Sequence, residues 1–283
     1  MHRQDHAPTA DLPSKPTPLI RLIDVDKSFG PQKVLDSFNL DIHPFETTVV
    51  LGPSGTGKSV MLKHIVGLLR PDRGEVRFDG RRIDLLNERE LKSVRLQVGL
   101  LFQMGALFDS MTVQENLEFP MIEHTACTAS ERRDRATVAL DMVDLSGVQD
   151  KLPSQLSGGQ KKRVALARAI VLQPRVVLYD EPTTGLDPIR ADGINELILK
   201  LKRKLRVTSV VVTHDLVSAR KVADRVVMLL GGRVIADGTY DQLEKSADSH
   251  VQHFLRGQYN REEDTATESL SVAQKPPLSE AVQ

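Results

Sequence analysis

Cysteine is nearly missing: Cys127 is the single one among 283 residues. No intramolecular disulfide can form, and a reducing compartment is the simplest setting. Net charge is missing as well, with 38 Lys and Arg against 38 Asp and Glu. A general nucleic-acid binder is basic overall, so no nucleic-acid partner is expected. No apolar run approaches the ~18 residues of a membrane helix, and the first eighteen residues lack the apolar core of a secretory signal. The chain is not expected to cross a membrane by itself. What is present, 40% hydrophobic and 27% charged residues, describes an ordinary soluble globular chain. Its length suits one large domain or two small ones at roughly 150 residues each.

The neutral sum hides an uneven distribution. Residues 1–18 carry four prolines and few large apolar side chains, and read as a disordered arm. Residues 257–283 hold Arg261 and Lys275 against Glu262, Glu263, Asp264, Glu268 and Glu280, a net charge of −3 that leaves +3 on the rest. They read as a disordered acidic tail.

Between these ends the pattern alternates. Residues 19–25 and 38–42 switch between apolar and polar side chains, as half-buried strands do. Residues 47–51, 98–102, 176–179, 209–213 and 226–230 are short apolar runs of the buried-strand kind. Helical spacing runs through 58–69, 131–144, 159–172, 190–205 and 216–223. Strands alternating with helices predict an α/β fold with a mainly parallel sheet, and the strand-rich start predicts an antiparallel piece beside it. Residues 104–158 read as a mostly helical insertion.

Three motifs carry chemistry. Gly52-Pro53-Ser54-Gly55-Thr56-Gly57-Lys58-Ser59 fits the phosphate-loop pattern directly after a strand and opening a helix. Its glycines let the backbone turn so that N–H groups face phosphate oxygens, and the helix N-terminus adds partial positive charge. Lys58 can reach the β and γ phosphates, and the Ser59 hydroxyl can ligate Mg²⁺. The second motif, Val176 to Pro182, is an apolar strand ending in two carboxylates. Asp180 is placed to hold Mg²⁺ through water, and Glu181 to orient or deprotonate the attacking water. The third, Leu156-Ser157-Gly158-Gly159-Gln160, offers a serine N-cap and a second anion-binding helix N-terminus. Two phosphate sites in one chain make sense if the second serves a neighbouring molecule.

The order of phosphate loop, Gln103, LSGGQ, Asp180–Glu181 and His214 resembles the ATP-binding subunit of ABC transporters across about residues 19–240. The resemblance implies a P-loop NTPase (RecA-like) core, an antiparallel β subdomain, an inserted α-helical subdomain at about 104–158, and ATP and Mg²⁺ as cofactors. It implies two copies, head to tail, with each ATP between one phosphate loop and the other copy's Ser157 to Gln160. Gln103 would sense Mg²⁺ and the lytic water, and His214 would hold the γ-phosphate geometry with Glu181. Phe29 would stack on adenine, and Asp187 would lie at the dimer interface. The bland alternatives are a core Phe29, a strand-ending Gln103, a core His214 and an Asp187 that only makes a turn. Thr184 and Gly185 stand where the family often has Ser-Ala, which leaves the contacts of that loop open. Only 122 residues separate Lys58 from Asp180, too few for the long coiled coils of chromosome-organising relatives.

Leu100 to Thr125 resembles, more narrowly, the ATPase of Mla-type (MCE-associated) lipid transporters. That implies a subunit powering phospholipid transport through a separate permease, with an MCE-type lipid-binding protein as a further partner, at the cytoplasmic face of a bacterial inner membrane. The rivals are the ATPase of an amino-acid or metal importer and a non-transport ABC ATPase. Met104, Leu107, Phe108 and Met111 make either an apolar surface for a permease helix or part of the helical subdomain's own core. Lys200 to Arg206 reads as a solvated helix face, with anionic lipid or nucleic acid as the other reading. A last helix over 241–256 carries Leu243, Ala247, Val251, Phe254 and Leu255 on one stripe, for its own domain or for a partner copy.

Overall fold

The computed structural model describes residues 17–258. The arm and tail expected over 1–18 and 257–283 lie, but for two residues each, outside the described residues. Alternating side chains make β1 (Ile20–Phe29) and β2 (Gln32–Ile42) half-buried strands, paired antiparallel with Ile20 opposite Ile42. β3 (Thr47–Leu51) is buried at every residue, as a strand covered on both faces must be. α1 (Lys58–Ile65) follows the turn after β3. β4 (Arg73–Phe78) and the two-residue β5 (Arg81–Arg82) complete an antiparallel sheet of order β2-β1-β4-β5. α2 (Glu88–Arg95) then leads into β6 (Val98–Leu101).

β7 (Val176–Asp180), β8 (Thr208–Thr213), β9 (Arg225–Leu230) and β10 (Arg233–Gly238) join β3 and β6 in a second sheet, order β10-β9-β3-β8-β7-β6. Every neighbouring pair is parallel except β9 with β10. The mixed α/β fold with an antiparallel piece is therefore as the sequence predicts. β4 and β10, not foreseen, have too few apolar residues to show a run: Val76 and Phe78 alone are buried in β4, and β10 lies on an edge.

Period-two alternation divides the core between the faces of the large sheet. Val49, Leu51, Val177, Tyr179 and Val211 face a cluster with the helices that follow β6. Val50, Val176, Leu178, Val210 and Val212 face a cluster with α1, α2 and the antiparallel sheet. The first cluster takes in α3 (Val113–His124), α4 (Ala129–Met142), α5 (Gly158–Ile170), α6 (Pro188–Leu205) and α7 (Leu216–Val222). Reciprocal capping boxes start α3 at Thr112–Glu115, α4 at Thr128–Glu131 and α5 at Ser157–Gln160. Residues 104–158 hold α3, α4 and a one-turn 3₁₀ helix at Pro153–Gln155, with no strand. Among the described residues no helix is long and apolar enough to cross a membrane.

The single helix expected over 241–256 is two short ones, α8 (Tyr240–Glu244) and α9 (Ser249–Leu255). Asp248 caps the second through the N–H groups of His250 and Val251, a role that competes with continuing the first. The Gln252 amide closes the gap by donating to the carbonyls of Leu243, Glu244 and Ser246. Leu243 and Val251 are buried, and Phe254 and Leu255 pack on the same core cluster of their own subunit.

Truncation after Asp248 should therefore destabilise the subunit by about 2 kcal/mol or more, since each buried aliphatic side chain contributes roughly that much. Truncation after Gly257 should leave the denaturant midpoint unchanged.

Candidate functional site

Parallel alignment brings four strand ends to one edge. β3 ends at Leu51 beside Thr213 of β8, and Asp180 of β7 pairs with Val212. The turns after β3, β8, β7 and β6 carry the phosphate loop, His214, Glu181 and Gln103. A cleft of about 500 Å³ opens there, lined by Phe29, Ser54, Gly55, Gly57, Lys58, Ser59, Gln103, Glu181 and His214 among others. Residues spread over 186 positions of sequence meet in one place because ligand crevices form at the carboxyl ends of parallel strands.

The phosphate loop is tight. Gly57, the N-cap of α1, has φ +97°, and a Cβ there would sit 2.8 Å from the Val34 carbonyl oxygen. A Cβ on Gly52 would meet the Leu229 carbonyl oxygen at 2.3 Å. Lys58 Nζ donates to the carbonyls of Gly52 and Pro53, both at 2.8 Å, and Thr56 Oγ1 donates to Pro53 at 2.9 Å. Gly52, Pro53 and Thr56 thus form the base of the loop, while Ser54, Gly55, Gly57, Lys58 and Ser59 face the cleft.

Charge in the cleft is buried and sparsely matched. Lys58 Nζ lies 4.0 Å from the Glu181 carboxylate. Burial pulls the Lys58 ammonium down from its ordinary range, opposed by the charges of Glu181 and Asp180. Burial pushes the Asp180 carboxyl up, opposed by a 3.0 Å hydrogen bond from Ser59 Oγ. Ser59 and Asp180 therefore present adjacent hard oxygen donors that could share a cation.

Glu181 is held from every side. Its φ of +49° is in the left-handed region, which costs a non-glycine residue about 1–3 kcal/mol. His214 Nδ1 lies 3.0 Å from its carboxylate. Thr184 Oγ1 donates to it at 3.1 Å and Thr213 Oγ1 at 3.4 Å. Its own N–H donates to the Val212 carbonyl at 2.9 Å. A carboxylate so fixed can position or deprotonate a water.

Phe29 lines the cleft half exposed, with Lys27 Nζ 5.6 Å from its ring centre, so it is not a core residue. Gln103 and His214 are exposed at the same cleft. Ser157, Gly158, Gly159 and Gln160 line no part of it. They start α5, with Ser157 Oγ accepting from Gln160 N–H and Gln160 Oε1 accepting from Ser157 N–H. Asp187 caps α6, accepting from Arg190 N–H at 3.0 Å, and is exposed.

Met104, Leu107, Phe108 and Met111 do not act as one surface. Leu107 packs on the core, whereas Met104 and Phe108 are exposed, with Phe108 edge-on to Phe119 at 5.0 Å. Lys200 and Lys202 pair with Asp144 and Asp224, so two of the five basic residues in this run belong to a salt-bridged helix face.

Sequence reasoning missed Lys162. It is buried, and Nζ donates to the carbonyls of Glu181, Pro182 and Thr184 at 3.3, 2.8 and 2.7 Å. One signal was available: Lys162 falls four and eight residues before Leu166 and Ile170, on the buried stripe of α5.

A family model described as ABC transporter matches residues 35–184. The probable ribonucleotide transport ATP-binding protein mkl of Mycobacterium leprae is 43% identical over 231 residues, 82% of this chain and 67% of that protein. The intermembrane phospholipid transport system ATP-binding protein MlaF of Haemophilus influenzae is 42% identical over 229 residues, 81% of this chain and 87% of that one. A solved dimeric ATP-binding cassette, in a post-hydrolysis state bound to ADP and Pi, has 37% identity and a TM-score of 0.72. It covers 78% of this chain and 98% of its own.

The raised Asp180 has a measurable consequence. A carboxyl whose folded pKa lies above its unfolded one favours folding at low pH, and this contribution is lost as pH rises through the folded pKa. Ionised Asp180 is thus a net cost at pH 7. Asp180→Asn should raise the melting temperature measured without nucleotide at pH 7. The gain should shrink in acid, while turnover of ATP falls at least tenfold.

Proposed function

The chain belongs to the ABC transporter family, and we propose that it is the ATP-hydrolysing subunit of a phospholipid transporter, working on a separate membrane permease. The observation that carries the lipid reading is the match to a phospholipid-system ATP-binding protein over 87% of that protein's length.

The phosphate loop and Lys58 hold the triphosphate, and Phe29 offers its ring to the base. Ser59 and Asp180 fit Mg²⁺: two adjacent hard oxygens, one of them a half-buried carboxylate that a cation would relieve. Among the described residues no group of three or more His, Cys, Asp and Glu could cage a metal, so phosphate and water oxygens must complete the coordination. When bound, the ion neutralises charge on the β and γ phosphates. Glu181 orients the attacking water, His214 fixes its carboxylate from within the same cleft, and Gln103 faces the same space. Positioning and charge stabilisation supply most of the acceleration.

Ser157 and Gly158 are exposed, and Ser157 to Gln160 lie outside their own cleft, which supports a second copy placed head to tail. In that dimer each LSGGQ turn meets the other copy's γ-phosphate, and Asp187 lies at the interface. The permease helix fits best in a cleft of about 490 Å³ whose walls include Lys92, Leu96, Phe102, Pro120, His124 and Arg168. Its wall includes Phe102, the residue before Gln103, so nucleotide state and permease share a boundary. The working location is the cytoplasmic face of the inner membrane, with an MCE-type lipid-binding protein as a further partner. A nucleotide substrate is the second reading, supported by the name of the Mycobacterium leprae relative.

Reconstitution with the co-expressed permease in liposomes tests this. Phospholipid should stimulate ATPase activity severalfold; stimulation by ribonucleotide, amino acid or metal ion instead would overturn the lipid reading. His124→Glu should abolish the stimulation and spare basal turnover. Lys58→Ala should lower turnover at least a hundredfold, and Glu181→Gln should trap an ATP-bound dimer on gel filtration. Wild-type turnover by Glu181→Gln would remove Glu181 from its role.

A further inference from the structure

Lys162 is an ammonium in a place where a lysine has no business for packing alone. It is 8% exposed, and among the described residues no carboxylate accepts a hydrogen bond from it. Taking a charge out of water costs several kcal/mol, and an apolar side chain of similar volume fills the same space without that cost. What the ammonium does have is three donors for three carbonyls, all in the stretch 181–184. Those carbonyls belong to Glu181, Pro182 and Thr184. Glu181 is the residue in the strained left-handed conformation, and Thr184 is the residue whose hydroxyl donates to the Glu181 carboxylate. Lys162 therefore grips both the main chain under the carboxylate and the main chain of the group that aims it.

We propose that Lys162 is a positioning residue for ATP hydrolysis, acting through Glu181: its ammonium holds the 181–184 main chain in the conformation that points the carboxylate into the cleft. The helix it stands on is also significant. Lys162 lies five residues after Ser157 on α5, about 7 Å along the axis. One helix thus bears the turn that meets the partner copy's nucleotide at its start and the clamp on its own subunit's Glu181 little more than a turn later. This inference rests on the hydrolysis proposed above.

Misplacing a catalytic group by about 1 Å costs on the order of a hundredfold in rate, whereas the phosphate loop, which binds the nucleotide, makes no hydrogen bond with Lys162. The two effects should separate. In the full-length chain, Lys162→Met should lower kcat at least tenfold while the dissociation constant of ATP, read by displacement of a fluorescent ATP analogue, stays within twofold. Lys162→Arg, which keeps the charge and the donors, should recover kcat to within about threefold of the parent. Should the methionine variant fail to fold by thermal melt, Lys162→Gln takes its place, with kcat between the parent and one-tenth of it at unchanged ATP affinity. The proposal is overturned if the methionine or glutamine variant keeps full kcat, if ATP affinity falls in step with kcat, or if arginine restores nothing. A parent chain that turns over no ATP would instead refute the hydrolysis reading.

Discussion

The parallel alignment of β3, β8, β7 and β6 is the constraint on which the rest of the molecule depends. Parallel strands end on the same side, so whatever follows each strand is delivered to one edge. Here that edge receives the phosphate loop, His214, the Asp180–Glu181 pair and Gln103. Parallel sheets also demand cover on both faces. α1, α2 and the antiparallel sheet cover one, and the helices that follow β6 cover the other. Among those helices, α5 puts LSGGQ at its start and a lysine against the carbonyls of residues 181–184.

Holding this edge in place costs free energy. Lys58, Glu181 and Lys162 are buried charged groups, Asp180 is a half-buried one, and Glu181 stands in a conformation its side chain disfavours. Burial lowers both ammonium groups and raises the Asp180 carboxyl for the same reason: the charged form is the one that loses solvation. The arrangement persists because the two core clusters on either side of the sheet over-determine the backbone. Phosphate charge and a divalent cation are what such a cluster is suited to receive.

Much of the site was legible because its motifs are local. Gly52 to Ser59 specify a turn, a helix start and a phosphate cradle within eight residues, and Leu156 to Gln160 specify a capping box within five. Buried strands such as Thr47–Leu51 and Val176–Asp180 announce themselves as apolar runs. β4 and the edge strand β10 did not, since a strand that is half solvated carries too few apolar residues to stand out. The break between α8 and α9 was hidden for a different reason. The stripe Leu243, Val251 and Leu255 has correct helical spacing across the gap, and only the Asp248 cap and the three bonds of Gln252 interrupt it.

By itself the sequence determined the local motifs: a phosphate-loop pattern, a carboxylate pair and a second capped helix start, each fixed by residue types at short spacing. Tertiary structure decided where those parts stand. It placed Leu107 inward and Met104 outward, left Ser157 to Gln160 out of their own cleft, and set Lys162 against the carbonyls of residues 181–184. The physical reason is range. Capping and turns are settled by neighbours a few residues away, whereas a buried ammonium finds its acceptors only after α5 and the end of β7, some twenty residues apart, have packed together.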